Sequence, residues 1–255
     1  KKIFEILESQ KHNKKDIDFL KGCWKINDTV DDIIAKYDTA ISYDDYLVGK
    51  IIDTLKKEDL LENTILFLLA DHGDSHNEHG LYFARCGLYD VTFHVPLIIS
   101  GKGIPKNKEI TALAQLKDLA PTVLDLVGID YDPSLFDGKS LAPLIFGEKN
   151  EIRESIFIEE QTCGLKRRGI RTQKYKYMES PEKKYSTCML CNTTHGPIVG
   201  LYDLEKDPGE TINLAKKDKN LLIEMKSKLD KMIRDLKTIN EQRRIKNLIN
   251  RAKYK

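Results

Sequence analysis

The stretch from Leu68 to Ile99, LLADHGDSHNEHGLYFARCGLYDVTFHVPLII, holds four of the chain's six histidines. Within it, Asp71-His72-Gly73 follows directly on an apolar run. A carboxylate beside an imidazole offers oxygen and nitrogen donors of the kind that divalent cations take, and Gly73 permits a sharp exit that lets both side chains face one cavity. The same tripeptide is compatible with a plainer role, in which Asp71 and His72 bond each other or cap a turn. A cation needs at least about four ligands, so two residues are half a site and the others must come from elsewhere. A second constellation, Cys163, Cys188-x2-Cys191 and His195, has the identities of a zinc quartet. It contains only one Cys-x2-Cys knuckle, and unrelated thiols or a surface disulfide are the preferred reading.

The elements that must position Asp71 and His72 are legible around them. From Asp31 onward, Ile33, Ile34, Tyr37, Ala40, Ile41, Leu47, Val48, Ile51, Ile52 and Leu55 recur at three- and four-residue steps, which predicts a long helix with Thr29 and Asp32 at its start. NTILFLLA, Asn63 to Ala70, has the length and apolar continuity of a buried strand, and VPLIIS, Val95 to Ser100, is a second. KDLAPTVLDLVGI then reads as a helix with Asp118 as its N-cap, Pro121 in its first turn and Gly128 at its end. Ligands collect at the carboxyl ends of strands in α/β sheets, and Asp71-His72 stands there.

Helices alternating with apolar strands predict an α/β class, a mostly parallel sheet flanked by helices, over residues 1–150. Beyond about 150 the texture changes. ESIFIEEQ, RRGIRTQ, KYKYMES and GLYDLE are short alternating segments that predict a small antiparallel sheet with one wet face. LLIEMKSKLDKMIRDLKTI follows as an amphipathic helix. Residues 151–255 are thus expected to form a small α+β C-terminal subdomain with an antiparallel sheet and a long terminal helix.

Composition excludes more than it assigns. At 255 residues the chain can bury a substantial core, and a net charge of +2 names no partner. The basic tail EQRRIKNLINRAKYK reads as a solvated helix end, so no nucleic-acid partner is expected. No stretch reaches the roughly 18 apolar residues of a membrane span, and five cysteines are an odd number for a disulfide framework. A cytoplasmic protein without a membrane partner is the expectation.

Asp71-His72-Gly73, Glu78-His79-Gly80, Tyr89-Asp90 and HVPLII at 94–99 resemble, in order, the sulfatases of the alkaline phosphatase superfamily, with one extra residue here between His79 and Pro96. The resemblance continues through YDTAISYDDYLVGKIIDTL before them and LKDLAPTVLDLVGI, GKSLAPLIFG, IRTQKYKYM and LYDLEKDPGETINLA after them. It spans about residues 31–216.

The resemblance implies an alkaline phosphatase/sulfatase-like fold and metal-dependent hydrolysis of a small-molecule sulfate ester. Asp71 and His72 match the late ligands of one divalent metal ion, calcium first, with magnesium or manganese as alternatives. Arg85 falls where the family carries a lysine that contacts the sulfate and the leaving-group oxygen. A guanidinium can bind such oxygens in a bidentate manner but cannot release a proton as a lysine can. His79 matches the histidine of the EHG motif, with a loop-ordering or substrate-contacting role, while His76 and His94 are structural. The family's nucleophile lies in a C/S-x-P-x-R motif, whose Cys or Ser becomes formylglycine. No such motif occurs here: Trp24-Lys25-Ile26 follow Cys23, and Gly87-Leu88-Tyr89 follow Cys86. A formylglycine nucleophile is therefore expected outside this chain, before Lys1, and the chain alone is expected to be inactive. A phosphonate monoester or phosphodiester hydrolase of the same superfamily is the nearest alternative, and a non-catalytic remnant that keeps the fold is the alternative from another class.

Overall fold

The computed structural model describes residues 27–76, 78–81, 85–161, 164–187, 194 and 196–253, scattered positions before 27, and side chains as far as 239. Helix α1 (Val30–Lys57) begins at a capping box: Oγ1 of Thr29 accepts from the Asp32 amide at 3.2 Å, and the Asp32 carboxylate accepts from the Thr29 amide at 2.8 Å. Such a cap contributes about 1 kcal/mol. The predicted apolar stripe is present, yet Ile33 is its one buried residue, and Tyr37, Ile41, Leu47 and Ile51 stay exposed.

Strand β1 (Ile65–Leu69) pairs with β2 (Leu97–Gly101) in antiparallel register, Leu66 opposite Ser100 and Leu68 opposite Ile98. This corrects the parallel sheet expected from the sequence. A parallel neighbour needs a covering crossover, usually a helix, and among the described residues of the 70–96 connection the helical pieces are a 3-10 turn (Glu78–Gly80) and α2 (Asp90–Phe93), a single turn. Apolar continuity reports burial and not strand direction. Burial is itself incomplete, since Leu68, Leu69 and Ile98 are exposed.

Helix α3 (Leu119–Leu126) follows Asp118, whose side chain does not cap it. The fully buried carboxylate instead accepts from the Gln115 amide at 2.7 Å, the Lys139 amide at 2.8 Å and Arg153 Nη2 at 2.6 Å. It ties three separate segments together near α4 (Ala142–Ile145). Local spacing shows a cap position; the distant partners that compete for the carboxylate are tertiary.

Strands β3 (Ser155–Glu160), β4 (Arg167–Thr172), β5 (Tyr175–Glu179) and β6 (Val199–Asp203) form an antiparallel meander in chain order. One face packs Ile170, Tyr177 and Leu201 against Met225 and Leu229 of α5 (Lys219–Lys253). The other packs Ile158, Met178 and Tyr202 against Leu81, Leu88 and Tyr89. The expected wet face is therefore covered, because the loop leaving β1 lies across it. Among the described residues no helix is long and apolar enough to cross a membrane.

Candidate functional site

Asp71 stands two residues beyond β1, its side chain 85% exposed, with the His72 imidazole 31% exposed beside it. The His72 amide donates to Asp71 Oδ1 at 3.0 Å, and His72 Nδ1 lies 3.2 Å from the Gly73 carbonyl. A carbonyl only accepts, so this contact places a ring N–H at Nδ1. Nε2 faces Asp71 Oδ2 at 3.5 Å. A carboxylate oxygen and a ring nitrogen turned toward each other at a solvent-open rim are a place for a proton or a cation.

The donor chemistry fits half of a cation site, one carboxylate and one imidazole with its second nitrogen held by a backbone oxygen. Among the described residues no group of three or more His, Cys, Asp or Glu could hold a metal by itself. For a cation at this rim, the remaining ligands would have to come from water or from protein outside the described residues.

The loop that follows is held from within. Gly73 donates to the Thr92 carbonyl at 2.9 Å, and a Cβ at Gly73 would lie 2.1 Å from the Val91 carbonyl oxygen, so close approach requires glycine there. Ser75 is fully buried, and its hydroxyl lies 3.0 Å from Glu78 Oε2 and 2.9 Å from the Leu81 carbonyl. The His76 amide also donates to Glu78 Oε2, at 2.7 Å. The Glu of the EHG segment therefore gathers its own loop.

The other sequence-predicted residues divide. Arg85 is largely exposed, and its Nε lies 3.6 Å from Oδ1 of Asp74, next to Gly73, which brings the guanidinium to the Asp71-His72 loop. His79 adopts a left-handed backbone (φ 57°) and stacks flat on Tyr89, ring centroids 3.5 Å apart and planes 2° off parallel. Burial pushes its imidazole pKa down, so it stands neutral against that ring. His76 meets Tyr37 of α1 edge-on at 4.5 Å, and His94 is exposed, its amide donating to the Asp90 carbonyl at 2.8 Å. Cys163, Cys188, Cys191 and His195 lie outside the described residues. Cys86 is a half-buried thiol packed on the core.

Sequence reasoning missed the charged network behind the loop. Asp90 accepts from Arg171, Nη2 to Oδ2 at 3.0 Å, and also pairs with Lys176, whose Nζ lies 2.8 Å from Glu210 Oε1. Glu210 Oε2 accepts from the Asp90 amide at 2.6 Å. Burial by itself would raise the Asp90 pKa, but Lys176 and Arg171 outweigh it and hold the carboxyl below the usual range. At Glu210 burial wins over Lys176, and its pKa rises. The readable signal was alternation: Lys176 shares a strand face with Met178, a core residue, which places a lysine inward.

Comparison with known proteins identifies the family of this chain. The Sulfatase family model matches residues 7–129, and the model for the C-terminal part of N-sulphoglucosamine sulphohydrolase matches residues 77–238. The chain is 34% identical over 186 residues to choline-sulfatase of Rhizobium meliloti, covering 70% of this chain and 32% of that one. It superposes on a 2-O GAG sulfatase with a TM-score of 0.58 at 34% identity, covering 71% of this chain and 38% of that one. It also superposes on the phosphonate monoester hydrolase of Agrobacterium radiobacter, with a TM-score of 0.63 at 23% identity, covering 84% and 42%. The chain spans about a third of the length of the curated relatives it matches. Two successive family models that together run from residue 7 to residue 238, over the DHG turn and the C-terminal sheet alike, show that this chain belongs to the sulfatase family.

Proposed function

We propose that this chain forms part of a metal-dependent sulfate ester hydrolase, with Asp71 and His72 supplying two ligands to a divalent cation, calcium first. The observation that carries the proposal is the facing of Asp71 Oδ2 and His72 Nε2 across 3.5 Å at the open end of β1. Sulfate esters carry anionic oxygens that repel a nucleophile, and a bound cation would neutralise them and stabilise the departing alkoxide. Arg85, steered by Asp74, would grip the sulfate oxygens through its guanidinium fork. It stays protonated throughout, so the leaving group must take its proton elsewhere. His79 would order the loop or touch the substrate from its seat on Tyr89.

The outer faces of α1, β1 and β2 are apolar and exposed, with Tyr37, Ile41, Leu47 and Ile51 on the helix and Leu68, Leu69 and Ile98 on the strands. That exposure supports a catalytic unit completed by further protein against this face, which would bring the nucleophile and the other ligands.

The test is hydrolysis of an aryl sulfate by the complete enzyme beside its Asp71→Ala variant, with an aryl phosphonate in parallel. Loss of metal-dependent sulfate hydrolysis in the variant supports the proposal, and undiminished activity removes its basis. Hydrolysis of the phosphonate alone favours the phosphonate reading, which the fold likeness to a phosphonate monoester hydrolase keeps open. Inactivity on both favours a non-catalytic remnant.

A further inference from the structure

Glu210 lies in the loop after β6 and is buried. Its backbone is left-handed (φ 54°), a conformation that suits glycine and strains a glutamate. The loop is closed on itself around Asp207. The Asp207 carboxylate accepts from the Ile212 amide at 2.7 Å and from the Thr211 hydroxyl at 2.9 Å, and its carbonyl accepts from the Glu210 amide at 3.0 Å. A strained residue held this firmly directs attention to what its side chain does.

That side chain reaches a residue 120 positions earlier in the chain. Glu210 Oε2 accepts from the Asp90 amide at 2.6 Å, and Oε1 lies 2.8 Å from Nζ of the fully buried Lys176. Asp90 opens α2, and Tyr89 before it makes no side-chain cap, so Glu210 does from a distance what a capping side chain does locally. Lys176 in turn pairs with the Asp90 carboxylate, so Asp90 is held by its backbone and by its side chain. The single turn of α2 passes this position on. The Thr92 carbonyl accepts from the Gly73 amide at 2.9 Å, and the Gly73 carbonyl lies 3.2 Å from His72 Nδ1. A series of short contacts therefore runs from the C-terminal subdomain to the His72 ring.

We propose that Glu210 is a positioning residue for the Asp71-His72 turn, fixing the place of α2 and hence of the Thr92 carbonyl on which Gly73 hangs. Its consequence for catalysis rests on the reading of Asp71 and His72 as cation ligands; its consequence for the turn does not. The C-terminal sheet, through Lys176 and the Glu210 loop, then frames the ligand turn as well as packing on it. A shift of α2 by about 1 Å would carry both ligands with it, and misplaced ligands cost cation affinity and turnover before they cost substrate binding.

The test is amide hydrogen exchange of the full chain, followed by NMR at Gly73 and at Ile170, a core residue of β4 that reports overall stability. Three variants are compared with the wild type. Glu210→Gly relieves the left-handed backbone but removes the side chain. Glu210→Gln keeps an oxygen that can accept from Asp90. Glu179→Gln removes a buried charge on the opposite face of the sheet, where Glu179 meets Tyr177 and Lys226 of α5. Glu210→Gly is expected to speed Gly73 exchange, relative to Ile170, by about tenfold or more, and Glu210→Gln by about threefold. Glu179→Gln should speed Ile170 without raising that ratio. The Gln variant reads the same ratio should the Gly variant fail to fold. In the complete enzyme, a folded Glu210→Gly should need about tenfold more calcium for half-maximal aryl sulfate hydrolysis, with kcat lowered and KM unchanged. The proposal is overturned if the ratio in the folded Glu210 variants equals that of the wild type, if Glu179→Gln raises it as much, or if the calcium requirement of an active enzyme is unmoved. A complete wild-type enzyme that hydrolyses no aryl sulfate with calcium would overturn the reading of Asp71 and His72 instead, while the exchange ratio still decides the role of Glu210.

Discussion

The Gly73 amide donates to the Thr92 carbonyl at 2.9 Å, which straps the turn carrying Asp71 and His72 to α2. The turn that presents the candidate ligands is therefore set by a contact nineteen residues away, and Thr92 is itself anchored by its hydroxyl on the Gly87 carbonyl at 2.6 Å. Gly73→Ala would place a methyl group 2.1 Å from the Val91 oxygen. We expect a loss of about 1–3 kcal/mol, the usual range for overpacking. Urea unfolding of the variant measures it, and an unchanged midpoint would show that the strap yields freely.

Asp90 joins Arg171 of β4 and Lys176 of β5 to the loop, and Lys176 is fully buried. Asp90→Asn leaves those cations with Glu210 as the remaining carboxylate. Removing one partner of a buried ion pair costs about 3–5 kcal/mol. Chemical denaturation should show a loss near the lower end of that range, since Glu210 still compensates Lys176. A loss below about 1 kcal/mol would mean that the network reorganises.

His79 should impose a pH dependence on stability. Burial lowers its pKa, so between the folded and the unfolded values the unfolded chain binds more protons, and stability rises with pH. The contribution is complete above the unfolded value of about 6.5 and is lost as the pH falls through it toward the folded value. Unfolding midpoints followed from pH 7.5 to pH 5 should therefore fall less steeply in His79→Gln than in the wild type. Parallel curves would assign the slope to other groups.

If Arg85 grips sulfate oxygens, Arg85→Ala in the complete enzyme should lower kcat/KM by about 10²-fold, as loss of one transition-state donor does. Arg85→Lys should retain most of the activity, because an ammonium can bind the same oxygens and can also give up a proton. Asp74→Asn, which loosens the guanidinium at 3.6 Å, should have the smaller effect, chiefly on KM. Equal activity in all three would leave Arg85 a surface arginine.

Particular residues show where sequence suffices and where it stops. The start of α1 at Thr29 and Asp32 was legible because a capping box is made by four neighbouring residues. The adjacency of Asp71 and His72 at a strand end was legible for the same reason. Asp118 was legible as a position but not in its role, since Lys139 and Arg153 reach it from 21 and 35 residues away.

By itself the sequence determined which segments are helix or strand and which two side chains share the rim of β1, because propensity, capping and apolar period act over a few residues. Only the tertiary structure decided that β2 runs antiparallel to β1, that both faces of the C-terminal sheet are covered, and that buried Lys176 meets both Asp90 and Glu210. Strand direction and the pairing of buried charges depend on groups that meet only after distant segments pack, and no local pattern encodes which carboxylate a given cation will meet.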